Sequence, residues 1–193
     1  MAKRPARTEA LTIRLDPKTR FMLEFVARLR GQTITTVVER AIAAAADAAA
    51  VKKIDRRTGN EYEDTWRDYW DVIDGVRALK LATESTLHPT YDEERRLAFA
   101  KKHWPFFYTS SSCEHLRSGY IEILWPRIDE FIQIGEEQKA SDFFAAGKAM
   151  KQAISDAGVV APDWPVKAEG GFRRPSANAP AFEPGGMDDD IPF

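Results

Sequence analysis

The chain has 193 residues, 44% hydrophobic, 30% charged and 11% aromatic, with a formal net charge of −2. That length supports one core of ordinary size, or two small ones with a tail. No apolar run reaches the roughly 18 residues of a membrane span, the basic start at Lys3, Arg4 and Arg7 leads into no secretory-type apolar stretch, and the lone Cys113 leaves no internal disulfide or Cys-x-x-Cys zinc pair.

A reduced, cytoplasmic protein is therefore expected. Its near-neutral charge hides a polarised chain. Residues 1–57 hold 13 Lys and Arg against 6 Asp and Glu, residues 58–164 hold 12 against 19, and residues 165–193 hold 3 against 5. Net charges of +7, −7 and −2 place a basic module, suited to a polyanion, ahead of an acidic one.

Leu11, Thr12, Ile13, Arg14 and Leu15 alternate apolar and polar, the period of a strand with one buried face. Leu11, Ile13 and Leu15 would turn inward, with Ala10, Thr12 and Arg14 outward. Asp16 and Pro17 open a first helix over 17–30, with Phe21, Met22, Phe25, Val26 and Leu29 on its apolar face. Gly31 is its expected left-handed cap. Thr33 caps a second helix carrying Val37, Val38, Ala41, Ile42 and Ala45, extended by alanines to about Ala50.

A lone five-residue strand leaves its backbone groups without partners, so a second copy of the chain, pairing across a two-fold axis, is expected. Strand, helix, glycine turn and threonine-rich helix start, in that order over residues 11–42, resemble the ribbon-helix-helix family of bacterial DNA-binding proteins. The resemblance implies a β-ribbon in the major groove. Arg14 and Thr12 would then read base edges, with Ala10 against a methyl group. The backbone at Thr33, Ile34 and Thr35 would clamp a phosphate, and Lys3, Arg4 and Arg7 would follow the backbone. Thr36 departs from the acidic residue the family often carries early in helix two.

The middle reads as a helical domain. The spacing predicts a helix over 61–83, with Tyr62, Trp66, Tyr69, Trp70, Ile73 and Val76 on one face and Glu63, Asp64, Asp68, Asp71 and Asp74 opposite. A second starts near Asp92 and ends before Pro105. A third covers 113–125 and resumes after Pro126 toward Ile134, and a last spans 141–157 between Ser141 and Gly158. Trp66, Trp70, Trp104, Phe106, Phe107, Tyr108 and Trp125 read as core rather than as a platform for stacked bases. His103, Cys113 and His115 lack structural-zinc spacing. With no P-loop, dinucleotide fingerprint or nucleophile elbow, neither an enzyme, a cofactor nor a metal is expected.

From Pro162 the chain gathers six prolines and four glycines, the composition of a flexible tail. It ends in Asp188, Asp189, Asp190, Ile191, Pro192 and Phe193. This ending resembles the tip of bacterial single-stranded-DNA-binding protein. The resemblance implies that Pro192 and Phe193 fill an apolar pocket on a partner, Ile191 adds contact, the carboxyl terminus meets a basic side chain, and the three aspartates lie along a basic rim. Nothing suggests that protein's OB-fold.

The expected fold is mainly α. Residues 1–57 form a ribbon-helix-helix DNA-binding and dimerisation domain, residues 58–161 an α-helical domain of unknown role, and residues 162–193 a disordered acidic tail. Three functions follow: a dimeric adapter that binds duplex DNA and recruits host replication and repair proteins, in plasmid or phage maintenance, transfer or transcriptional control; an unconventional binder of single-stranded DNA using the aromatic domain; and an antitoxin or repressor whose helical domain binds a protein partner.

Overall fold

The computed structural model describes residues 12–55 and 57–166. The protein is mainly helical with one two-stranded sheet. No helix among the described residues is long and apolar enough to cross a membrane. Two compact units divide between Phe99 and Ala100.

In the first unit, helix α1 runs Pro17–Arg30. The Asp16 carboxylate accepts from the amides of Lys18 and Thr19, and Pro17 occupies the first turn, where no donor is lost. Gly31 ends the helix at φ 59°, its amide turned back to the Arg28 carbonyl and that of Gln32 to Ala27. Helix α2, Ile34–Ala48, begins at Thr33, whose hydroxyl accepts from the Thr36 amide. These bounds and caps are the expected ones, except that α2 stops at Ala48 because Ala49 turns extended and leads directly into a strand.

That strand, β1 (Ala50–Ile54), pairs antiparallel with β2 (Glu61–Thr65), so that Val51 faces Asp64 and Lys53 faces Tyr62. The Asp55 amide donates to Asn60, the Asp55 carboxylate receives the amides of Arg57 and Thr58, and Gly59 takes φ 72°. The hairpin overturns the expected helix over 61–83. Only a short α3 (Trp66–Tyr69) and α4 (Asp74–Thr83) lie there, with Val76, Leu79 and Ala82 buried along α4. Thr58, Gly59 and Asn60 supply the turn chemistry, and a turn outweighs an aromatic period of three to four. The hairpin also spans the expected boundary at 57/58.

Residues 12–15 take no strand conformation and are exposed. Among the described residues they have no pairing partner, since β1 and β2 pair only with each other.

Helix α5 (Tyr91–Lys102) starts one residue before Asp92, and Pro105 lies in the first turn of a further short helix, α6 (Trp104–Phe107). The second unit continues with α7 (Ser118–Leu124), α8 (Ile128–Glu137) and α9 (Ala145–Asp156). The expected start of a helix at Cys113 fails because Cys113 has φ 56° and Thr109 bonds back to His115, closing a loop before α7. Likewise 141–144 is turn rather than helix, with the Asp142 carboxylate holding the Phe144 amide. Helix α9 packs on α7 and α8, around a core in which Phe106, Phe107, Ile121, Leu124, Phe131, Met150 and Ile154 are fully enclosed.

Trp164 closes this unit. Its ring lies 5.2 Å from His103 and 5.4 Å from Phe106, centroid to centroid, and its indole N–H donates to the Phe144 carbonyl at 3.3 Å. The ring fits only because residue 147 has no side chain: a Cβ there would sit 2.0 Å from the Trp164 indole nitrogen. Gly147→Ala is expected to expel Trp164 and destabilise the unit by about 1–3 kcal/mol, seen as a lower melting midpoint together with red-shifted tryptophan emission.

Candidate nucleic-acid interface

The residues expected to meet DNA divide between described and undescribed positions. Thr12 and Arg14 are exposed just ahead of the Asp16 cap. Ala10, Lys3, Arg4 and Arg7, and the tip residues Asp188, Asp189, Asp190, Ile191, Pro192 and Phe193, lie outside the described residues.

At the start of α2, Thr33 and Thr36 share a hydroxyl–hydroxyl contact of 2.9 Å, and Thr33 also receives the Thr36 amide at 3.1 Å. Thr36 therefore serves the cap instead of a carboxylate. The first-turn amides of Ile34 and Thr35 have no intrahelical acceptor, and both residues are exposed beside Thr33. Positive dipole end and open donors are what an anionic oxygen needs. Basic side chains crowd this unit: Lys18, Arg20, Arg28 and Arg30 on α1 and Arg40 on α2 are all exposed.

The apolar face expected to be buried is not covered in the single chain. On α1, Phe21 is 66% exposed, Phe25 56% and Leu29 74%; Met22, Ile34 and Ile42 extend the face, and Ile13 and Leu15 are exposed as well. Only Ala27 and Val37 are buried where the two helices meet.

A second feature escaped the sequence reading because it depends on the hairpin. An apolar groove of about 680 Å³ is bounded by Ala46 and Ala49 at the end of α2, Val51 and Lys52 of β1, Trp66 and Trp70, and Arg77, Leu81 and Leu87. Trp66 and Trp70, expected in the core, are exposed, whereas Phe106, Phe107 and Tyr108 are buried as expected. Asp47 fixes this wall, accepting the Trp66 indole N–H at 2.9 Å and pairing with Arg67 at 2.8 Å. The guanidinium carbons of Arg67 and Arg77 stand 4.6 and 4.8 Å from the Trp66 and Trp70 ring centroids.

Beneath the groove, Lys53 bridges Asp64 at 2.5 Å and Glu84 at 3.1 Å, and Tyr69 donates to Asp64. Burial opposes the ammonium charge, but its hydrogen bonds to Asp64, Tyr69 and Glu84 prevail and raise the Lys53 pKa. Glu84 is held below its usual 4.5, first by the Thr86 hydroxyl and then by Lys53. A carboxylate with a lowered pKa contributes stability that is complete above its ordinary value and lost as pH falls through the lowered one. Acidification below about pH 4.5 is accordingly expected to loosen the groove wall, with Glu84→Gln flattening that part of the pH dependence of tryptophan emission.

Among the described residues, no cluster of three or more His, Cys, Asp and Glu side chains is placed to hold a metal. Comparison with protein-family models, with curated proteins and with solved structures finds no match.

Proposed function

We propose that this chain is a cytoplasmic, dimeric adapter that binds duplex DNA through a β-ribbon and recruits host replication and repair proteins through its acidic tail, in plasmid or phage maintenance, transfer or transcriptional control. The reading rests on the uncovered apolar face of α1 and α2. Phe21, Met22, Phe25, Leu29, Ile34 and Ile42, with Ile13 and Leu15 ahead of them, are all exposed large apolar side chains within 30 residues of one another.

A second copy is the occupant that accounts for both the face and residues 12–15, which pair with no described residue. Pairing the two segments would complete their backbone hydrogen bonds while the helices of each copy cover the other's apolar side. The outward side chains would then be Ala10, Thr12 and Arg14, with the Thr33, Ile34 and Thr35 amides flanking them for phosphate and Lys3, Arg4 and Arg7 along the backbone.

Arg14→Ala tests the ribbon. Loss of one base contact is expected to weaken site-specific duplex binding by about 1–3 kcal/mol per copy, leaving the dimer intact, when specific and random duplexes are compared at one salt concentration. Equal losses on both duplexes would make Arg14 a phosphate contact only.

The exposed Trp66 and Trp70 favour a second reading, in which bases of single-stranded DNA stack on this unit. Under it, polythymidine quenches tryptophan emission and Trp70→Ala weakens single-strand affinity.

A further inference from the structure

The groove beside Trp66 and Trp70 presents a particular chemistry. Its lining is chiefly alanine, valine, leucine and tryptophan carbon. Of the charged side chains on it, Asp64 is bound by Lys53, and Arg77 by Asp74 and by the Asp71 carbonyl. Lys52, exposed at the lip, makes no ion pair with any described residue. The surface thus calls for an apolar ligand of a few side chains that carries negative charge at one end.

Two stretches of this chain lie beyond the ends of the described region. The first, residues 1–11, is basic through Lys3, Arg4 and Arg7 and unsuited to the lone lysine. The second contains Asp188, Asp189 and Asp190 directly before Ile191, Pro192 and Phe193. Three apolar side chains, one aromatic, joined to three carboxylates supply both parts of such a ligand.

We propose that the Trp66–Trp70 groove is a docking site for residues 188–193 of the chain itself, with Phe193 and Ile191 among the tryptophans and aliphatic side chains and the aspartates toward Lys52. Twenty-four residues separate Val166 from Ile191, a tether of up to about 80 Å at full extension. A tether of this kind gives an effective concentration of order 1 mM. A contact with a Kd near 0.1 mM in trans is therefore mostly closed in cis. The docked tip is withheld from outside partners, so the groove sets how available the tail is for recruitment. The inference shares the tail with the adapter reading but needs neither its DNA ribbon nor its host partners.

The test uses the full chain with an emptied tip, Ile191→Ala with Phe193→Ala, and a fluorescein-labelled peptide of residues 187–193. The emptied chain should bind this peptide and change its tryptophan emission, and the intact chain should bind it at least tenfold more weakly. Trp70→Ala and, separately, Lys52→Glu in the emptied chain should each weaken it about tenfold. Lys52 faces Glu63 across the hairpin, so Lys52→Met, which sets no second carboxylate there, should weaken peptide binding as well and reports on the site rather than on folding. Absence of peptide binding by the emptied chain, groove variants that bind the peptide as tightly as the emptied chain does, or binding of polythymidine in the groove without peptide binding would each overturn the proposal. Failure of recruitment reads out separately: host replication and repair proteins recovered equally from lysate by intact and emptied chains would dismiss the adapter's tail while leaving peptide binding to the groove as measured.

Discussion

Phe25→Asp is expected to yield a monomer at micromolar concentration and to reduce duplex binding at least a hundredfold. Phe25 is one of the uncovered apolar side chains of α1, its ring 6.4 Å from that of Phe21, with Met22 and Leu29 three and four residues away on the same helix. A large apolar side chain fully removed from water stabilises by about 1.5–3 kcal/mol, and several such side chains from each copy would meet here. A carboxylate placed among them loses that term and adds an unpaired buried charge. Because Phe25 is more than half exposed within its own chain, the substitution disturbs intrachain packing only in part, chiefly the contact with Phe21. Sedimentation should therefore change while the melting of residues 100–166 does not. A variant that remains dimeric would place the interface elsewhere and remove the basis of the ribbon.

Phe106→Ala should act on the other unit. Phe106 is fully enclosed and packs its ring against Trp164. Truncating a buried phenylalanine costs about 3–5 kcal/mol, a large part of the roughly 5–15 kcal/mol available to a domain. The melting midpoint of this unit is expected to fall by more than about 12 °C. Duplex affinity measured below the new midpoint is expected to be unchanged, which calorimetry combined with a binding titration would check. A parallel loss of duplex affinity would contradict the proposal that duplex binding belongs to the first unit.

The elements legible in sequence were those whose signals are local. Asp16 before Pro17, Gly31 after Arg30 and Thr33 before Ile34 each satisfy or redirect backbone groups within three residues, so the bounds of α1 and the start of α2 needed no tertiary information. The 61–83 segment misled because Tyr62, Trp66, Tyr69 and Trp70 keep a helical period across a strand and a four-residue helix. Tyr62 is in fact a strand residue opposite Lys53. The signal that could have corrected it was present in Thr58, Gly59 and Asn60, followed by the capping pair Thr65 and Asp68, whose carboxylate receives the Thr65 amide at 2.7 Å.

The groove was illegible for a different reason. It joins Ala46 to Leu87 through a hairpin that sequence spacing did not announce. The loop at 109–117 and the turn at 141–144 likewise depend on bonds such as Thr109 to His115 and Asp142 to Phe144, which carry no periodic trace.

Helix α2 starts at the Thr33 hydroxyl and finishes at Asp47 and Ala48, against the indole of Trp66. Its 15 residues make a strut about 22 Å long, with a candidate phosphate seat at one end and the wall of an aromatic trough at the other. Whatever free energy an occupant of one end communicates along that strut must return undiminished from the other. If filling the trough alters the hold on DNA severalfold, then DNA must alter the filling of the trough by that same factor.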